Sequence, residues 1–307
     1  MNAPNLRGGT TLPGMAAAAE DFETHRRYLG AVAYRMLGSI SDAEDVVQEA
    51  WLRWRDVDHA GVENPRAYLT TIVTRLCYSE LGSARSRRES YYGEWLPEPL
   101  LDDAPTPQDR AEVGEQVSYA VMALLERLSP AERASFVLHD VFGVDFALIA
   151  TALDRSDAAV RQLASRARKQ IKDDSPRRTV DRALHRQAVD AFLAAAFQGD
   201  IMGLMKVLDP ETVWHSDGGG IVRAGVRPIH GVDRVARLVV GLVENFVEPR
   251  TTSALVELDG ESGVAVHGPD GSPIAVLGFC VDDSGLITAT HVVVNPRKLA
   301  RVPSAAV

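Results

Sequence analysis

Only two cysteines, Cys77 and Cys280, occur among the 307 residues, far apart and without CxxC spacing. That excludes a disulfide framework and a cysteine-based metal site, and it fits a reducing compartment. No apolar run reaches the length needed to span a bilayer, so no membrane association is expected. The opening MNAPNLRGGTTLPGMAAAAED lacks a basic segment followed by a long apolar core. Residues 1–19 therefore read as a flexible leader rather than a signal peptide, and the chain is expected in the cytoplasm. No HExxH, His/Cys cluster or GxxxxGK[ST] loop is present, so no metal or nucleotide cofactor is expected. Positive charge is in deficit too, with a formal net charge of −9. A chain of that balance binds duplex DNA poorly unless its basic groups are gathered on one surface.

What is present is the composition of an ordinary globular protein, 46% hydrophobic and 24% charged, long enough for two or three domains. Its charge is segregated. Residues 91–126 hold eight acids against Arg110 alone, whereas residues 151–180 hold eight bases against four acids. Neighbouring segments with opposite charge suggest separate tasks.

From 20 to 90 the pattern is helical. In SDAEDVVQEAWLRW, Ser41 and Glu44 have capping-box spacing, and Ala43, Val46, Val47, Ala50, Trp51 and Trp54 form an apolar stripe. Asp42, Asp45, Gln48 and Glu49 are left on the polar side. After Asn64-Pro65, AYLTTIVTRLCYSEL gives a second amphipathic helix, followed by Arg85, Arg87 and Arg88. Residues 91–111 form an acidic, Pro-rich linker, yet EWLPEPLLDD sets Trp95, Leu96, Leu100 and Leu101 among Pro97 and Pro99. The prolines favour an extended backbone, and the apolar side chains need a dry partner.

Residues 112–174 return to helix and contain a helix-turn-helix. Ile149, Ala150 and Leu153 end one helix, Asp154-Arg155-Ser156 makes a tight turn, and the Ser156 hydroxyl caps the next helix. Val160, Leu163, Ala164, Ala167 and Ile171 form its buried stripe. The opposite face presents Arg161, Gln162, Ser165, Arg168 and Lys169, and Ala158 near the start permits close approach to a groove. Arg155, Ser156, Ala158, Arg161, Gln162, Ser165, Arg166, Arg168 and Lys169 are the candidate DNA contacts. A solvated basic face on a helical hairpin is the plainer alternative. After a short linker at 175–180, residues 181–307 begin with two helical segments. They continue in β-branched runs separated by Gly, Asp and Pro turns, the pattern of an α+β domain with an antiparallel sheet.

SDAEDVVQEAWLRW, NPRAYLTTIVTRLCYSELGSARSRRE and LSPAERASFVLHDVFGVDFALIATALDRSDAAVRQLASRARKQI together resemble bacterial sigma factors of the extracytoplasmic-function type, over residues 20–172. The resemblance implies an alternative sigma factor that directs core RNA polymerase to specific promoters. Region 2, at 20–90, would dock on the β′ clamp helices through Asp42, Asp45, Gln48 and Glu49. It would also capture the melted −10 element through Asn64, Arg75, Tyr78, Arg85, Arg87 and Arg88. Region 4, at 112–174, would meet the β flap and read the −35 element.

The remainder resembles the SnoaL-like or NTF2-like α+β cone. The fold class implied is thus two all-α domains, the second with a helix-turn-helix, followed by that cone. WLPEP at 95–99, DGGG at 217–220 and NPRKL at 295–299 resemble motifs of the sigma subgroup that carries the extension. The usual last motif is NPDKL, so Arg297 departs from it. The subgroup implies modulation in cis, without a dedicated anti-sigma protein. On that basis Trp95, Leu96, Pro97, Glu98 and Pro99 are expected to dock near Asp217, Gly218, Gly219, Gly220, Asn295, Pro296, Lys298 and Leu299.

Two alternatives remain at this level. The cone could bind a small ligand as a sensor, or retain cyclase or isomerase chemistry through His215 and Asp217, which share a strand face. No catalytic residue is assigned, and the chain is not expected to be an enzyme. A stand-alone helix-turn-helix repressor would leave the capped acidic helix without a use.

Overall fold

Trp54 is fully buried and its indole N–H donates to the Ala18 carbonyl at 2.9 Å, fixing the crossing of the first two helices. The computed structural model describes residues 12–89, 91–101, 117–174 and 181–305. They divide into two units, one made of residues up to 82 with 112–114 and 130–164, the other of 83–111, 115–129 and 165–307.

In the first unit α1 (Leu12–Leu37), α2 (Ile40–Arg55) and most of α3 (Pro65–Glu89) bury Phe22, Leu29, Val47, Trp54, Leu69 and Val73. The cap of α2 differs from the sequence expectation. Ser39, not Ser41, accepts the Asp42 amide, because Gly38 takes a positive φ of 68° and starts the helix two residues earlier. The same unit holds α5 (Pro130–Phe136), a π-turn at Val137–Val141 and α6 (Phe146–Leu153). Buried Arg133 of α5 donates twice to the Arg35 carbonyl at the end of α1, at 3.3 and 3.4 Å. Asp154 then adopts a left-handed φ of 53°, and the Ser156 hydroxyl accepts the Ala159 amide at 3.2 Å. This starts α7 (Asp157–Asp174), whose residues Val160, Leu163, Ala164 and Ala167 are buried as its apolar spacing requires.

The second unit is built on a six-stranded sheet of order β2-β1-β6-β5-β4-β3. The strands are β1 (Leu208–Asp217), β2 (Ile229–His230), β3 (Thr252–Leu258), β4 (Glu261–His267), β5 (Pro273–Val281) and β6 (Ile287–Val293). The sheet is mixed rather than wholly antiparallel, since β1 pairs parallel with β6. A first and a last strand cannot be joined by a hairpin, so strand runs alone gave no sign of this pairing.

Helices α8 (Arg182–Phe197), α9 (Ile201–Val207) and α10 (Val232–Phe246) pack through Phe192, Val235 and Val239 against Trp214, Phe279 and Val292 on one sheet face. Helix α10 was not anticipated from the sequence, although VDRVARLVVGLVENF carries an amphipathic period. The opposite face is covered by the linker, by α4 (Tyr119–Leu125) and by α11 (Pro296–Leu299) with the residues after it. Leu96, Tyr119, Leu299 and Val302 close there over Leu258, Ala265, Val276 and Val293.

Candidate functional site

Alternation along β1 sends Trp214 into the helix-covered core and leaves His215 and Asp217 on the linker-covered face. Asp217 is completely buried. Its Oδ1 accepts the Tyr91 hydroxyl at 2.6 Å and the Gly219 amide at 3.0 Å. Its Oδ2 accepts the Leu96 amide at 2.9 Å and the Lys298 ammonium at 2.7 Å. Lys298 also donates to the Leu96 carbonyl and lies 3.8 Å from the centre of the Trp95 ring. The site is thus a buried carboxylate whose lone pairs are filled by three chain segments, the condition under which a buried charge is tolerated.

The glycines of DGGG have identifiable work. Gly219 and Gly220 sit at φ of 61° and 70°, and a β-carbon on Gly219 would lie 2.3 Å from Asn295 Nδ2. A β-carbon on Gly218 would lie 2.2 Å from the Val222 carbonyl oxygen. Asn295 caps α11 by accepting the Arg297 amide through Oδ1 and donates through Nδ2 to the Tyr91 hydroxyl, with Pro296 at the first helical position. Pro97 and Pro99 are buried, and the Pro97 carbonyl accepts the Tyr119 hydroxyl at 2.6 Å; Glu98 is half-buried. The structure therefore brings WLPEP, DGGG and NPRKL together.

His215 and Asp217 share a face as the strand period requires, but they do not form a base–orienter pair. The His215 Nδ1 lies 2.8 Å from Glu94 Oε1, and its ring stacks on His291 at 4.9 Å with 7° between planes. Burial first, then the neighbouring His215, pushes the His291 imidazole down to about 3. Burial and Asp217 push the Tyr91 hydroxyl up, so it remains a donor. Tyr91, Glu94 and Tyr119 belong to this site and were missed by sequence reasoning. Glu94 opens the EWLPEPLLDD stretch and Tyr91 lies just before it, whereas nothing local marks Tyr119.

In the first unit the other candidates take definite places. Asp45 and Gln48 are exposed on α2, while Asp42 and Glu49 are half-buried, Glu49 pairing with Arg53 at 3.0 Å. Asn64 Oδ1 accepts the Ala67 amide at 3.0 Å and so caps α3, a structural use of its acceptor. Arg75 donates to the Thr151 carbonyl at 3.1 Å, and Arg155 donates to the Tyr78 hydroxyl at 3.4 Å. The side chains of Arg85, Arg87 and Arg88 lie outside the described ones.

On α7 and its turn, Arg155, Ser156, Ala158, Arg161, Gln162, Ser165, Arg166, Arg168 and Lys169 are all exposed. Arg161 pairs with Asp157 at 3.3 Å and lies 4.4 Å from the centre of the Phe146 ring. Among the described residues no group of three or more His, Cys, Asp or Glu side chains is arranged to hold a metal. No described helix is long and apolar enough to cross a membrane.

Comparison with known proteins agrees with this geometry. Sigma-70 region 2 matches residues 22–87 and sigma-70 region 4 matches residues 118–171. The chain is 43% identical over 229 residues to the ECF RNA polymerase sigma factor SigJ of Mycobacterium tuberculosis, which covers 74% of this chain and 73% of that protein. It is 34% identical over 280 residues to the probable ECF RNA polymerase sigma factor SigI of the same species, covering 91% and 93%. The crystal structure of M. tuberculosis SigJ matches with a TM-score of 0.75 at 37% identity, over 94% of this chain and all of that one. Two sigma-70 regions in order, a helix-turn-helix and a C-terminal sheet domain shared with SigJ place the chain in the family of extracytoplasmic-function RNA polymerase sigma factors.

Proposed function

We propose that this sigma factor directs core RNA polymerase to its promoters under restraint from its own C-terminal domain, in the cytoplasm and without catalysis. The polar face of α2, with Asp45 and Gln48 exposed and Asp42 and Glu49 half-buried, suits a basic partner such as the β′ clamp helices, which favours that segment as the polymerase dock. The exposed face of α7 suits the −35 element, with Arg161 and Gln162 toward base edges and Arg168 and Lys169 toward phosphates. Arg75, Tyr78 and the arginines ending α3 suit the −10 strand.

The observation that carries the restraint is the Asp217 node. Its carboxylate accepts the Leu96 amide and so holds the described stretch of the linker, residues 91–101, on the sheet. A pinned linker has less free length to let the two promoter-reading regions separate. Arg155, a −35 candidate, donates to the hydroxyl of Tyr78, a −10 candidate, and Arg75 donates to the Thr151 carbonyl of α6, contacts that favour mutual engagement of the two candidate surfaces. Regulation of this kind needs no separate anti-sigma protein. His215 and Asp217 are both taken up by linker groups, which favours a structural role for them over isomerase or cyclase chemistry.

The test is reconstituted transcription. Core-dependent initiation from a defined promoter supports the reading. Tight binding to an operator without core enzyme, and no core-dependent transcript, would mark the chain as a repressor.

A further inference from the structure

Two neighbours engage the guanidinium of Arg161, and they take different parts of it. Asp157, one turn earlier on α7, meets the Nε–Nη2 edge, with Oδ1 3.3 Å from Nε and Oδ2 accepting from Nη2 at 3.3 Å. Phe146, at the start of α6, has its ring centre 4.4 Å from the guanidinium carbon. The ring belongs to the first helix of the helix-turn-helix and the arginine to the second, so their contact crosses the turn. At Arg26, by contrast, the acid Glu23 and the ring of Phe22 both belong to its own helix, and the ring stands at 5.3 Å.

Phe146 is itself fixed. It is half-buried, and the His139 imidazole stacks on it at 3.7 Å with 26° between planes. His139 Nδ1 in turn donates to the Val144 carbonyl at 3.1 Å, which ties the imidazole to the loop before α6. Stability does not explain the arrangement, because 59% of the Arg161 side chain and 48% of the Asp157 side chain are exposed. An ion pair so open to solvent contributes little, and an acid on a DNA-facing turn repels phosphates. Orientation of the guanidinium does explain it.

We propose that Phe146 and Asp157 are positioning residues that aim Arg161 at a guanine of the −35 element. The inference deepens the reading of α7 as the −35 helix and rests on it. Asp157 takes the Nε–Nη2 edge and Phe146 the face. Neither occupies the outer edge, formed by Nη1 and the second Nη2 proton. That edge presents two parallel N–H donors at the spacing of guanine O6 and N7, which makes guanine the base it discriminates. Ordering a flexible arginine before DNA arrives removes part of the entropy that binding would otherwise cost. The plainer use of Asp157, as an acid in the first turn of a helix, would support α7 against every sequence alike.

The experiment uses the full chain bound to core polymerase and a pool of promoter duplexes randomised across the −35 element, with the bound DNA sequenced. Arg161→Ala is expected to lower the preference for guanine about tenfold at one position. Phe146→Leu keeps an apolar side chain there and is expected to lower that same preference at least about threefold, whereas Phe146→Tyr keeps it. Asp157→Asn is expected to lower it too while raising affinity for the pool as a whole, because an acid has left the DNA-facing turn. In the Arg161→Ala background, Phe146→Leu is expected to change nothing further at that position. Full guanine preference in Phe146→Leu and Asp157→Asn, beside its loss in Arg161→Ala, would overturn the proposal and leave the −35 reading standing. So would equal loss at every position, which would assign both residues to packing. Unaltered preferences in Arg161→Ala would strike the −35 reading of Arg161 and the inference with it.

Discussion

The ammonium of Lys298 lies 2.7 Å from the Asp217 carboxylate, both side chains buried beneath the linker. The pair is weak as a source of stability but strong as a condition, since removing one partner strands the other without water. Asp217→Ala is expected to cost about 3–5 kcal/mol of linker docking. Asp217→Asn combined with Lys298→Met is expected to cost less than Asp217→Ala, because no uncompensated charge remains. Hydrogen exchange at the Leu96 amide checks this, with faster exchange in the single variant than in the double.

Tyr119 ties the first region 4 helix to the same linker through its hydroxyl on the Pro97 carbonyl. Tyr119→Phe keeps the ring in the core and leaves a buried carbonyl unpaired, at a cost of about 1–3 kcal/mol. Gly278→Ala tests the same packing from the sheet, because its β-carbon would meet the Tyr119 ring at 2.9 Å. Both variants are expected to lower the thermal midpoint of the sheet-containing unit, measured by calorimetry on the full chain.

Protonation should loosen the linker-covered face. His291 is buried with a folded-state value lowered to about 3, so it binds its proton more weakly folded than unfolded. Its contribution is fully present at neutral pH and is lost as pH falls from the ordinary histidine value of about 6.5 toward 3, at about 1.4 kcal/mol per pH unit. Glu261 runs the other way. Burial, with Asp259 next, raises its carboxyl to about 7, so its contribution is complete in acid and is lost as pH rises from about 4.5 through 7. With 35% of the Glu261 side chain exposed, solvent screening holds this to about 1–2 kcal/mol. His291→Phe is expected to flatten the acid limb of a urea-denaturation series, and Glu261→Gln the neutral one.

Much of this was legible in the sequence because the relevant patterns are local. The turn at Asp154–Ser156, the stripe of α7 and the clustered glycines of DGGG each follow from neighbouring residues, and the family resemblance rests on such segments. The Ser39 cap was missed because Ser41 offers equally good spacing, and only the backbone at Gly38 decides between them. Helix α10 was overlooked between more conspicuous strand runs. Tyr91, Glu94 and Tyr119 act through partners up to 204 residues away, and no local pattern encodes such pairings.

The proposed restraint of the sigma regions acts through the linker held at Asp217. Trp95→Ala removes the ring over Lys298 and spares both helical regions. In reconstituted transcription with core polymerase, the full-length variant is expected to yield at least about fivefold more promoter-specific transcript than wild type. That corresponds to the roughly 1 kcal/mol carried by one cation–π contact. Equal transcript from both chains, with the variant folded by circular dichroism, would show that the linker contact does not restrain the sigma regions.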